Sequence, residues 1–198
     1  MPLRNRVTPL GELVAVPDRG LVYGNRGCLH DEHGRIRREW AVKRWIACRL
    51  EFRGRHRDSP MPPGRYTGLF FLDEATAFAA GHRPCAECRR EDYTRFMAIC
   101  GASRANEIDE RLHEERLGPY RRRPLRELPD GTFVLRGGGP WLVLGGELLR
   151  WTSGGYADRV PSPRGIAEVV TPPTLVEVLR AGWSGAVPLL HGTIRSRE

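Results

Sequence analysis

The chain has 198 residues, 40% hydrophobic and 28% charged, the balance of an ordinary globular protein with room for one good-sized core or two small ones. No apolar run approaches a membrane span, and the opening MPLRNRVTPLGELVAVP lacks a signal-peptide core, so a cytoplasmic protein with no membrane partner is expected. The formal charge of +8 rests almost wholly on arginine: Lys43 is the one lysine among 32 basic residues, and arginine's planar fork suits phosphate recognition, which is compatible with a nucleic-acid partner.

The first third reads as β structure. Leu13–Val16 and Leu21–Tyr23 are short apolar runs separated by the turn sequence Pro17-Asp18-Arg19-Gly20. Residues 44–52 alternate, with Ile46, Cys48, Leu50 and Phe52 on one face, and Arg53-Gly54 would fold the chain back as a hairpin. After a Pro/Gly loop at 60–64, residues 65–72 resume a strand.

Helices follow. Asp73 is a plausible N-cap for EATAFAA and Gly81 its C′ residue. Pro84 suits the first turn of the next helix, which carries the stripe Tyr93, Phe96, Met97 and Cys100. Ser103 caps a third helix with Ile108 and Leu112, ending near Gly118-Pro119. Residues 119–130 read as a basic connector around Arg121-Arg122-Arg123. Residues 131–198 read as a small β-meander and a helix from Pro172 to Ala181. The expected class is α+β, a small hairpin-and-helix module over 1–118 with a β-rich C-terminal part, in two lobes or one domain.

Five cysteines, Cys28, Cys48, Cys85, Cys88 and Cys100, are an odd number, unlike a secreted disulfide framework. In a reducing compartment Cys85-x-x-Cys88 reads as metal-binding or redox-active. Two thiolates at that spacing can reach one zinc ion, with flanking arginines and a helix start favouring their charge. Cys48 leads as a third ligand, and His56, Cys28 or His30 as the fourth. The bland alternative, small buried hydrophobes, fits poorly among Arg83, Glu87, Arg89 and Arg90.

The segment FLDEATAFAAGHRPCAECRR (71–90) resembles the second half of the zinc-binding domain of the Ada family, the adaptive-response DNA methyl-phosphotriester repair proteins. That family has an alanine-rich helix, a glycine, an aromatic, Arg-Pro-Cys, two residues, a cysteine and an arginine. Here stand Ala79-Ala80-Gly81, His82, Arg83-Pro84-Cys85, Cys88 and Arg89. The resemblance implies zinc on four cysteines, with Cys48 as the first of the upstream pair. Phe52 stands where the family has the second, and His56 is the replacement ligand inferred here. The resemblance implies a zinc module in DNA repair or modification and leaves the methyl-transfer chemistry behind.

A second pattern is the zinc deaminase signature, H-x-E followed by P-C-x-x-C: His30-Asp31-Glu32 and Pro84-Cys85-Ala86-Glu87-Cys88. In that reading His30 and the two cysteines hold the metal and Glu32 moves protons to an activated water. The P-C-x-x-C of that fold follows a strand directly, whereas here it follows an alanine-rich helix and a glycine.

For nucleic-acid contact, Arg53, Arg55 and Arg57 recur at every second position and would share one face of an extended strand. Arg83, Arg89 and Arg90 flank the cysteines, and Trp40, Trp45 and Phe52 offer stacking surfaces. The expectation is a zinc-binding, Ada-like protein with DNA as its partner and a mainly structural zinc; a zinc-dependent hydrolase is the alternative.

Overall fold

The computed structural model describes residues 1–54 and 59–195. Proline and glycine breaks keep the N-terminal strands short: β1 (Arg6–Val7), β2 (Leu13–Val14) and β3 (Val22–Asn25). Of the two longer stretches expected to be strands, only three residues each pair, as β4 (Ile46–Cys48) and β5 (Leu69–Phe71). With β6 (Arg83–Pro84) they form a six-stranded sheet in the order β2-β1-β5-β3-β4-β6, in which β1–β5 and β4–β6 are parallel.

The helix α1 (Glu74–Ala79) starts where its cap demands. The Asp73 carboxylate accepts the Thr76 N–H at 2.8 Å, and Gly81, at φ +78°, turns the chain out of the helix and donates to the Phe78 carbonyl. All six residues are buried. Alanine makes that possible, because a bare methyl lets neighbours approach on every side. Ala77 and Ala80 join Leu69 and Phe71 in the core of the first sheet. Ala75 and Ala79 pack with Phe133, Leu142 and Leu149. Phe78 packs with Phe96, Ile108, Leu175 and Trp183.

The next helices are α2 (Arg90–Ile99) and α3 (Ala105–Leu117). Contrary to the expectation from the sequence, Pro84 does not open α2. It is the last residue of β6, and residues 85–89 form a turn before the helix. Glu107 accepts from the backbone N–H groups of Ser103 and Arg104, which fixes the start of α3.

The second sheet has the order β11-β10-β9-β8-β12-β7 and is antiparallel throughout. Its strands are β7 (Arg121–Pro124), β8 (Phe133–Arg136), β9 (Gly139–Leu144), β10 (Glu147–Thr152), β11 (Gly155–Pro161) and β12 (Ile166–Val169). The arginine triplet expected in a connector is therefore a strand at the sheet's end, and the small meander expected is part of a six-stranded sheet. α4 (Pro173–Arg180) follows, closed by Gly182.

Residues 183–191 return to α1. The Glu74 and Ala75 N–H groups donate to the Pro188 and Leu189 carbonyls, both at 3.0 Å. The Trp183 indole donates to Glu74, while the His191 N–H and the Tyr156 hydroxyl donate to Asp73. Among the described residues, no helix is long and apolar enough to cross a membrane.

Candidate metal centre

The parallel pairing of β4 with β6 brings residues 48 and 85 together. Arg83 N–H donates to the Trp45 carbonyl at 3.1 Å and Cys85 N–H to the Ala47 carbonyl at 3.0 Å. The chain then turns back, with Arg89 N–H on the Cys85 carbonyl at 3.2 Å, and the turn lifts Cys88 to the same point. The sulfurs of Cys48, Cys85 and Cys88 lie within 4.8 Å of one another, all three residues buried. Tyr23, Ile46, Phe52 and Phe70 pack around them.

Backbone donors point at the sulfurs. Glu87 N–H lies 3.4 Å from the Cys85 sulfur. The Cys88 N–H also serves Cys85, and the Arg49 N–H serves Cys88. Such donors stabilise thiolates. Without a metal, Cys85 is pulled well below its ordinary value, chiefly because the Cys48 and Cys88 thiols donate to it. Cys48 is pushed well above its ordinary value by those same bonds and by burial. For Cys88, the bond from Cys48 pulls down, but donation to Cys85 and burial outweigh it and leave it raised. The cluster thus favours negative charge at Cys85, with Cys48 and Cys88 turned toward it, an arrangement that a soft cation would complete.

The geometry suits such an ion. Sulfurs around a tetrahedral zinc with bonds of about 2.3 Å sit about 3.8 Å apart, inside the spread seen here. Three thiolates favour zinc, copper(I) or iron over calcium or magnesium.

Of the other expected ligands, His56 lies outside the described residues, as do Arg55 and Arg57. Cys28 is apart from the cluster, its thiol on the His30 carbonyl at 3.6 Å. His30 is also apart: its Nδ1 lies 2.6 Å from the Thr67 hydroxyl and its Nε2 3.2 Å from the Pro62 carbonyl. The His30-Asp31-Glu32 motif and the Cys85–Cys88 turn do not converge, and Glu32 is exposed. Cys100 ends α2, half-buried among apolar neighbours that push its thiol up to about 11.

The flanking arginines divide in two. Arg83 and Arg89, expected to face nucleic acid, are buried and spent inside the fold. Arg83 grips Asp109 with two bonds of 2.7 and 2.9 Å, and Arg89 pairs with Glu74 at 2.5 Å and Asp92 at 2.6 Å. Gly185 runs so close over Arg89 that a Cβ there would lie 2.4 Å from its Nη2. Arg53 and Arg90 are exposed, and Arg53 sits over the Phe52 ring at 5.0 Å. They border a shallow cleft of about 240 Å³ that reaches Cys88 and is also lined by Arg49, Glu87, Glu91 and Asp92. Sequence reasoning missed Arg49 as a donor to the site; its position directly after Cys48 was the available signal.

The chain matches no family model, no curated protein and no solved structure.

Proposed function

We propose that Cys48, Cys85 and Cys88 hold one zinc ion at the centre of an Ada-like module, and that the module docks on DNA in repair or modification. The convergence of three buried sulfurs, each facing a neighbouring sulfur or a backbone N–H, carries this reading. The zinc is mainly structural: it ties β4 to the turn before α2 and is backed by Tyr23 and Phe70, whose rings meet edge-on at 5.4 Å. Support for the Ada likeness is that the Gly81-His82-Arg83-Pro84-Cys85 run follows the alanine-rich helix and reaches Cys48 through a strand pairing. Support for a DNA partner is the exposed Arg49, Arg53 and Arg90 beside the cleft, in a chain of net charge +8. Backbone contact of this kind gives affinity without base readout.

Elemental analysis of the purified protein tests the metal. One zinc per chain is expected, lost in Cys48→Ser and in Cys85→Ser and retained in His30→Ala. Zinc retained by both serine variants, or lost with His30, sinks the assignment. Titration of a labelled DNA duplex over a salt series tests the partner. Affinity should fall steeply with salt, and removing Arg53 and Arg90 together should lower the log–log slope by about 2. Affinity unaffected by salt, or a slope unchanged by those substitutions, rules the docking face out.

A further inference from the structure

A different pair of arginines lacks what the buried Arg83 and Arg89 have. Arg26 is 1% exposed. Its Nε donates to His82 Nε2 at 3.2 Å and its Nη1 to the Gly11 carbonyl at 2.8 Å, and its Nη2 is buried with no acceptor. Arg116 spends its Nη atoms on the Gly81 and Lys43 carbonyls, while its buried Nε has none. Both guanidiniums sit over the Trp45 ring, at 3.9 and 4.0 Å from its centre. Among the described residues no carboxylate lies within ion-pair distance of either, whereas Arg83 and Arg89 have carboxylates at 2.5–2.9 Å. A fully buried Arg26 and a half-buried Arg116 that repel each other, held over one ring with only neutral groups as hydrogen-bond acceptors, form an arrangement that burial of Arg26 disfavours unless an anion joins it.

A cavity of about 390 Å³ opens over them. Its buried side is Arg26, Trp45 and the end of α1 at Ala79 and Ala80; Trp40, Leu117 and Tyr120 form part of the exposed rim. Three carboxylates also line it. Glu115 is tied to the Thr174 hydroxyl and N–H, Glu12 is exposed, and Glu39 is exposed and reaches Arg4 at 3.7 Å. Glu39 acts on Arg26 and Glu115, with Asp109, on Arg116 through space, but none comes within ion-pair distance of either guanidinium.

We propose that this cavity binds an oxyanion, the phosphate or carboxylate group of a small ligand, with Arg26 as its principal partner and Arg116 beside it. The anion supplies the missing acceptor for Arg26, and the apolar rim takes the body of the ligand. Planar guanidiniums suit both groups, so the observations define the oxyanion and experiment defines its source.

The test is calorimetric titration of the purified protein with sodium phosphate and, separately, sodium acetate, at constant ionic strength in an oxyanion-free buffer, with tryptophan fluorescence followed in parallel. Saturable binding of either anion, with a fluorescence change, is expected. Phosphate alone marks a phosphoryl ligand; acetate alone marks a carboxylate. Arg26→Gln should weaken binding by about thirtyfold or more, the usual scale for losing one partner of a buried charge pair. Glu39→Gln, at the exposed rim, should tighten it by about twofold. No saturation by either anion below about 10 mM, or wild-type affinity in Arg26→Gln, overturns the proposal. If Arg26→Gln does not fold, Glu39→Gln decides: unchanged affinity there overturns it as well.

Discussion

His82 lies fully buried between Phe71, at 4.5 Å, and Trp45, at 5.1 Å, and its Nε2 accepts from Arg26. An arginine can only donate, so this ring is neutral. Burial first, then Arg26 and Arg116, hold it well below its ordinary value of 6.5. The unfolded chain therefore takes up a proton that the folded one refuses. Stability from this residue is fully present above about pH 6.5 and is lost as pH falls toward the depressed folded value, at about 1.4 kcal/mol per pH unit. Urea unfolding at pH 7 and pH 5.5 should show the loss, and His82→Gln should flatten it; an equal slope in the variant would count against the neutral ring. The arginines show what was legible at this scale and what was not. Cys48, Cys85 and Cys88 could be picked out because a metal site imposes a spacing. Arg83 and Arg89 looked exposed because charged residues surround them in sequence, yet their partners Asp109 and Glu74 lie 26 and 15 positions away. Only Asp92, three residues after Arg89, is a local partner; nothing local announces the pairs to Asp109 and Glu74.

Among the elements, α1 is the most constrained. Its N-cap and its glycine stop were readable, because capping is local chemistry. Its burial on all sides was not, because its neighbours come from both sheets and three other helices. Ala77 has no exposed surface and packs against the first sheet. Ala77→Leu should therefore cost about 1–3 kcal/mol or more through overpacking, whereas Glu110→Ala on the exposed face of α3 should stay within about 0.5 kcal/mol. Denaturant midpoints compare the two, and similar midpoints would contradict this packing. Two elements were misjudged for definable reasons. Pro84 fits a helix start and a strand end equally well, and only pairing with β4 decides between them. Arg121–Pro124 has no apolar alternation, since an end strand needs little, and its pairing with residues 166–169 spans some forty positions.

At the scale of the molecule, the core clusters draw on both sides of residues 119–130. Helices α2, α3 and α4 share one cluster, and α1 shares another with β8, β9 and β10. The α+β class was legible from the order of periodic segments; the interleaving was not, because loop closure over long distances leaves no local mark. Fragments 1–118 and 119–198, expressed separately, should show little cooperative unfolding by calorimetry, while the intact chain unfolds in one transition. Two independent transitions in the intact chain would refute this.

The return of residues 183–191 to α1 also has a meaning in time. Asp73 and Glu74 leave the ribosome long before the groups that complete their bonding; the His191 N–H that joins Asp73 is 118 positions later. At ordinary rates of synthesis that is an interval of roughly ten seconds. Through it, Asp73 can make its local cap bond to Thr76 but lacks those from Tyr156 and His191. The bonding of Asp73 is therefore among the last parts of the fold to be completed during synthesis.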